Sequence, residues 1–260
     1  NEEVVIVDAV ENATLYQVYS GEITMEEFVA SLTDEQLANI VNGNSGVDTT
    51  ETFIGAQANS VEGAAGETTG LYYESNGIPN VVLADGPAGI RITQSYTNED
   101  ETETYYQFCT AWPIGTMMAQ TWNTDLEQEV GAAIGAEMVE YGVTLWLAPG
   151  MNIHRDPLCG RNFEYFSEDP YMTGAMGTAV TLGVQSNPGI GVTIKHYAGN
   201  NQEINRNTQN DTVSERAFRE IYLKGFEMVV KEAQPMAVMS SYNFINGVYA
   251  DSNYDLLENV

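Results

Sequence analysis

Positive charge is what this sequence has least of: its 260 residues hold Lys+Arg 9 against Asp+Glu 37, a formal net charge of −28. Nucleic acid and anionic membrane are poor partners for such a chain, because both are held by Lys and Arg that displace counterions. Histidine and cysteine occur twice each, too few for a disulfide framework, and the spacing of His and carboxylates matches no defined metal-ligand pattern. Cys109 and Cys159 are expected as free, buried thiols. No apolar run approaches the ~18 residues that span a bilayer, and the N-terminus lacks a basic-then-apolar export signal. If the full protein is exported, its signal lies outside this chain.

The few cations are unevenly placed. None precedes Arg91, and Arg91, Arg155, Arg161 and Lys195 fall in three Gly- and Pro-marked segments that also carry both histidines, His154 and His196. Solubility in so acidic a chain does not require them, which points to a binding or structural task. With 43% hydrophobic residues and Gly 24 spread throughout, the composition is globular, and the length admits one barrel-sized domain.

Helical signals appear three times. Residues 25–43 are expected as one helix, with a capping box at Thr33-Asp34-Glu35-Gln36 and Gly43 where a helix stops. A second starts near Asn123, with Leu126, Val130, Ile134 and Met138 on one stripe and Gly142 at its end. A third has Ser214 as N-cap and stops before Pro235, with acids early and lysines late as the helix dipole favours. Short apolar runs at 81–84, 143–148, 191–194 and 236–239 are expected as strands. Strands alternating with helices predict βαβ units on a parallel sheet. Residues 44–70 and the acidic run 98–103 are expected as exposed loops.

Polar residues sit just past the C-terminal ends of these strands, the face on which barrels and open sheets place their sites. Asp85-Gly86-Pro87 leads through a tight turn to Arg91, an arrangement a plain Asp-stabilised turn would also explain. Residues 152–170 pack carboxylates, Arg155, Arg161 and His154 into a loop too polar for a core. There an internal network of ion pairs accounts for His154 and Asp156. Lys195-His196 is followed by Asn200, Asn201, Gln202 and Glu203, an array of donors and acceptors suited to sugar hydroxyls. Lys195 and His196 are expected on opposite sides of the strand end unless the backbone bends. Met239 and Tyr242 end the last strand; Met239 is more often core filler than ligand contact, and a buried ring with its hydroxyl satisfied also explains Tyr242.

In combination these segments resemble the signature stretches of family 3 glycoside hydrolases of the β-glucosidase type, over roughly residues 30–257. Cys109-Thr110-Ala111-Trp112-Pro113, Trp146-Leu147-Ala148-Pro149-Gly150 and Ser214-Glu215-Arg216 extend the resemblance. It implies an α/β fold, a (β/α)8 TIM-type barrel incomplete in this chain because its last strands are missing. Residues 1–32 would be a linker and lead-in helix, and 33–260 the barrel domain, truncated before the nucleophile strand. The segment from Leu15 to Phe28, with 63–68, resembles members whose domain order is reversed.

The resemblance further implies hydrolysis of terminal non-reducing β-D-glucosyl residues with retention of configuration, as part of a larger enzyme and without a cofactor. Asp85, Arg91, Arg161, Lys195, His196, Met239 and Tyr242 would hold the sugar. No Asp-Trp strand end follows Asp255 before Val260, so the nucleophile is expected beyond Val260 and no catalytic residue within the chain. The loop after His196 lacks the Asp-His pair of the N-acetylglucosaminidase branch, which leaves the acid/base to a Glu in another domain. The expected partners are a β-glucoside or oligosaccharide and the remaining domains or chains of the same enzyme. The location is left open between the cytoplasm and an extracellular or cell-surface site of bacterial type, the latter favoured. The alternative is a carbohydrate-binding barrel without catalysis.

Overall fold

The computed structural model describes residues 7–43, 60–98 and 100–260, which divide at Val82/Leu83 into two units.

In the first unit three short helices follow one another: α1 (Leu15–Ser20), α2 (Met25–Ala30) and α3 (Asp34–Asn42). Each opens with a threonine, Thr14, Thr24 or Thr33, in a reciprocal capping box with the Gln or Glu three residues on. The single helix expected over 25–43 is therefore two. A capping box starts a helix, so Thr33 ends the run begun at Met25 instead of lying inside it, and Ser31 caps the first piece. Gly43 closes α3 at φ +72 as expected. Ala13, Phe28 and Leu32 form the core beneath, packed by Val18, Leu37, Ile40 and Ile78. Of the expected loop 44–70, residues 44–59 lie outside the described residues.

The second unit alternates strand and helix. Its parallel strands are β1 (Val82–Ala84, entering across the boundary), β2 (Leu145–Trp146), β3 (Gly191–Tyr197) and β4 (Ala237–Ser240), side by side in chain order. Leu83 pairs with Leu145, Leu145 with Gly191, and Thr193 with Ala237. The connections run through α4 (Thr124–Tyr141), α5 (Pro170–Gln185) and α6 (Lys224–Ala233). Chain-order parallel strands with helical crossovers are the pattern of a (β/α) barrel, and the arc here is an incomplete one.

Asn123 caps α4 and Gly142 ends it, as the sequence signals. Its buried face differs: Ile134 and Met138 are inside, whereas Leu126 is 38% exposed, and Gly131, Gly135 and the Glu127 carboxyl take the inner positions. Helix α5 lacks an amphipathic signal in the sequence because it is buried nearly all round, between α4 and α6. Its backbone lies directly on that of α4: a Cβ on Gly183 would stand 2.2 Å from Gln128 O, and one on Gly131 2.5 Å from Val180 O. The helix expected from Ser214 does start there, but a π-helical turn over Phe218–Tyr222 interrupts it before α6.

The acidic run is the exposed turn of the hairpin Ser95–Thr97/Thr104–Tyr106, where Asn98 Oδ1 accepts the N–H groups of Thr102 and Glu103; Glu99 is outside the described residues. Cys109 and Cys159 are free thiols, the second buried and the first only partly so. Among the described residues, no helix is long and apolar enough to cross a membrane.

Candidate functional site

β1 ends at Asp85, and a turn of two glycines follows. Gly86 and Gly89 adopt φ +113 and +121, and a Cβ on Gly86 would stand 2.0 Å from Gly89 O, so a side chain there is excluded. The turn brings Arg91 back beside the strand end: its N–H donates to Asp85 O at 2.8 Å, and its Nη2 to Asp85 Oδ2 at 2.8 Å. Asp85 Oδ1 accepts Gly86 N–H at 2.9 Å, as the plain turn reading requires, and also Lys195 Nζ at 2.7 Å. That last contact ties the turn to β3. Burial raises the Asp85 pKa, but Lys195, the Gly86 N–H and Arg91 outweigh it, so the net shift is downward and the group stays ionised.

Strand β3 runs past the expected 191–194 and carries Lys195 and His196 within it, 2% and 5% exposed. The register with β4 slips between Lys195 and Tyr197. Both side chains are buried. His196 is clamped by Asn152 on the loop after β2: Asn152 Nδ2 donates to His196 O at 2.9 Å, and Asn152 Oδ1 accepts His196 N–H at 3.0 Å. These two bonds fix which end of the amide faces the ring. Since Nδ1 lies 3.0 Å from that same Oδ1, Nδ1 carries the proton and Nε2 is an acceptor. Burial, reinforced by the charges of Arg161, Lys195 and Arg206, holds the His196 pKa well below its ordinary value. The imidazole is neutral.

Arg161 opens the turn Asn162–Glu164, and its Nε donates to Glu164 Oε1 at 2.5 Å. The Glu164 side chain is 5% exposed and that of Arg161 21%, so the acid is the fixed partner. Elsewhere in this loop hydrogen bonds to backbone do the work assigned to ion pairs. His154 Nε2 lies 2.9 Å from Asn162 O and 3.2 Å from Tyr165 O, and Asp156 Oδ1 accepts Leu158 N–H. Arg155 is exposed.

Of the seven residues marked by the sequence, Asp85, Arg91 and Lys195 are joined directly. His196 follows Lys195, and Arg161 lies close enough to act on its charge. Met239 pairs with Lys195 across the ladder and is half-buried. Tyr242 is 56% exposed, with the Arg206 guanidinium 4.9 Å over its ring.

Sequence reasoning passed over Asn152, Tyr165 and Arg206. Tyr165 OH lies 3.3 Å from His196 Nδ1 and accepts Asn200 Nδ2 at 3.2 Å. Asn200 also donates to Glu203 Oε1, and Glu203 Oε2 holds Arg206 Nη1 at 2.8 Å. Arg206 follows the recognised Lys-His segment by ten positions, and the rarity of cations was the one signal that could have marked it. Among these groups each carboxylate is ion-paired, Asp85 with Lys195 and Arg91, Glu164 with Arg161, Glu203 with Arg206. Such an array presents charged donors and acceptors of the kind that make charge-assisted hydrogen bonds.

Comparison with known proteins gives a consistent picture. The sequence model of the "Glycosyl hydrolase family 3 N terminal domain" matches residues 13–260. The chain is 41% identical over 244 residues to Beta-glucosidase A of Butyrivibrio fibrisolvens, covering 94% of this chain and 26% of that protein. It is 43% identical to the Exo-alpha-(1->6)-L-arabinopyranosidase of Bifidobacterium longum, over 72% of this chain and 25% of the relative. Among solved structures, β-glucosidase 3B from Thermotoga neapolitana in complex with alpha-D-glucose superposes with a TM-score of 0.78 at 49% identity, covering 90% of this chain and 31% of that one. The chain thus spans about a quarter of the length of the curated relatives it matches.

Proposed function

The chain belongs to glycosyl hydrolase family 3, and from that premise we propose that it supplies the sugar-holding part of a larger enzyme that hydrolyses terminal non-reducing β-D-glucosyl residues with retention of configuration. The observation that carries this reading is the convergence of Asp85, Lys195, His196 and Arg161 from three successive strand ends of the barrel arc. Asp85 Oδ atoms accept from hydroxyls, Lys195 and Arg161 donate to them, and the neutral His196 accepts at Nε2. Hydrogen bonds of this kind, tightening as the ring flattens toward an oxocarbenium ion, would lower the barrier.

Retention needs two further carboxyl groups about 5–5.5 Å apart, one a nucleophile and one an acid/base. On the resemblance to family 3 we assign both to residues outside this chain, in the remaining domains or chains of the same enzyme. Residues 33–260 are on this reading the barrel domain and 1–32 its lead-in, in a protein working outside the cell or at its surface. Residue by residue, Asp85, Arg91, Arg161, Lys195, His196, Met239 and Tyr242 form the innermost subsite.

The test is turnover of an aryl β-glucoside by the polypeptide carrying this chain with the remaining family segments, the anomer first released being read by NMR. β-Glucose as first product from that polypeptide, and no turnover by residues 1–260 alone, is the expected result. Turnover by the 260-residue chain would overturn the assignment of the missing carboxylates. A second reading, with a related pyranose such as an α-L-arabinopyranoside in the subsite, is favoured by the similarity to the Bifidobacterium longum enzyme; competing aryl arabinopyranosides in the same assay separate the two.

A further inference from the structure

Two polar atoms near the Asp85–Arg91 turn are closed off from solvent. Among the described residues, neither Glu127 Oε2 nor Trp112 Nε1 has a hydrogen-bond partner. An indole N–H can only donate, and leaving such a group unmet in the interior forfeits its hydration with nothing in return. Both residues line one cavity of about 20 Å³, together with Pro87, Trp146 and Glu164. That is far below the ~300 Å³ at which pockets for small organic molecules begin. A water needs only about 10–15 Å³ and two or more polar partners. The cavity admits one such molecule, and the two orphaned atoms are partners for it.

The same residues bear on the turn that carries part of the site. Trp112 N–H donates to Ala88 O at 2.9 Å, and a Cβ on Gly89 would stand 2.2 Å from Thr110 O and 3.3 Å from Trp112 Cδ1. Trp146, on β2, donates its Nε1–H to Gly86 O at 2.9 Å. Two tryptophans therefore hold the turn, one at Gly86 and the other at Ala88 and Gly89. Of the two indole N–H groups, only that of Trp146 is engaged by the turn itself.

We propose that the cavity binds one structural water, which accepts from Trp112 Nε1–H and donates to Glu127 Oε2, and that Glu127 acts through it as a positioning residue for the turn bearing Asp85 and Arg91. The water site stands on the cavity and its two polar atoms; its effect on substrate rests on the glucoside-cleaving reading. Burial keeps the Glu127 carboxyl protonated up to about pH 7, so a neutral group and not a charge faces the water. Glu127 is 4% exposed and touches the turn through nothing but this cavity's lining, so its influence on Asp85 runs by way of Trp112.

The first measurement is a crystal structure of the polypeptide carrying this chain, at a resolution that shows ordered water, for the wild type and Trp112→Phe. The expected result is one water within about 2.6–3.2 Å of both Trp112 Nε1 and a Glu127 carboxyl oxygen, absent from Trp112→Phe. A dry cavity, a water touching only one of the two groups, or a direct indole–carboxyl bond overturns the proposal. The second is a double-mutant cycle in aryl β-glucoside turnover, with KM, kcat and thermal midpoint read at about pH 6, where Glu127 is neutral. Glu127→Leu is expected to raise KM roughly 2- to 10-fold, the range of one net hydrogen bond, and to change kcat much less. Glu127→Gln, which keeps an oxygen for the water, loses less, and in the Trp112→Phe background Glu127→Leu adds nothing. A lowered thermal midpoint with KM unchanged, or equal effects in the two backgrounds, overturns the positioning role. Should Glu127→Leu fail to fold, Glu127→Met gives the same cycle. If the wild type does not cleave the glucoside, the function reading fails separately; the cycle is then scored on glucose affinity by calorimetry, and the crystallographic outcomes stand as they are.

Discussion

Lys195 Nζ lies 2.7 Å from Asp85 Oδ1, a contact between residues 110 positions apart that joins the ends of two barrel strands. The Lys195 side chain is 3% exposed and that of Asp85 28%, so the ammonium depends on the carboxylate far more than the reverse. Asp85 can turn to water; Lys195 cannot.

Replacing Asp85 by Ala therefore leaves a buried ammonium without its counterion. Breaking a buried pair from one side costs about 3–5 kcal/mol, and the remaining exposure of Asp85 puts the expected loss near the lower figure, about 3 kcal/mol. The double variant Asp85→Ala/Lys195→Met should lose less than the sum of the single changes, because no charge is then stranded. Denaturant unfolding of the four proteins measures this. Strictly additive losses would mean that the contact is not a coupled pair.

Glu127 points inward from α4, 4% exposed, with Oε2 unpartnered. Burial alone raises its pKa from 4.5 to about 7. Trp112, whose Nε1 is also without a partner, and the ion-paired Glu164 line the same small cavity. The native state keeps this proton up to about pH 7, while the unfolded chain releases it near 4.5. Stability associated with the group is thus present below pH 4.5, declines as the pH rises, and is gone above 7; the whole effect is on the order of 3 kcal/mol. Glu127→Gln should flatten this dependence and raise the thermal midpoint at pH 8 but not at pH 4. An equal shift at both values would show that ionisation is not the cause.

In an exposed helix Gly→Ala usually stabilises by about 0.5–1 kcal/mol. Gly183→Ala is expected to do the opposite, because the new methyl would meet Gln128 O at 2.2 Å, which neither helix can yield without separating. The loss should reach about 1–3 kcal/mol, typical of overpacking, or more. Chemical denaturation reads it directly, and a neutral or stabilising outcome would contradict the close approach of α4 and α5.

Much of this was written in the sequence where one local signal decides the structure. Asn123 and Gly142 bound α4 because capping is local, Asp85 stood out at a strand end before a Gly-Pro turn, and Lys195 and Arg161 because cations are scarce in the chain. What escaped depends on contacts between distant segments. α5 has no polar face because α4 and α6 cover it, so no periodic signal marks it as a helix. Asn152 and Tyr165 look like ordinary loop residues until the fold sets them against His196, and Arg206, paired locally with Glu203, meets Tyr242 only in the fold. The split at Thr33 was legible and misweighed, since a capping box announces a helix start even inside an apolar periodicity.

The central claim is that polar side chains from separate strand ends meet on one pyranose ring. A crystal structure of the polypeptide carrying this chain, soaked with glucose, tests it most directly. The prediction is a ring whose hydroxyls lie within hydrogen-bond distance, about 2.6–3.2 Å, of Asp85, Arg161, Lys195 and His196 together. Glucose bound elsewhere, or touching Asp85 and Lys195 while Arg161 and His196 face away from it, would contradict the account.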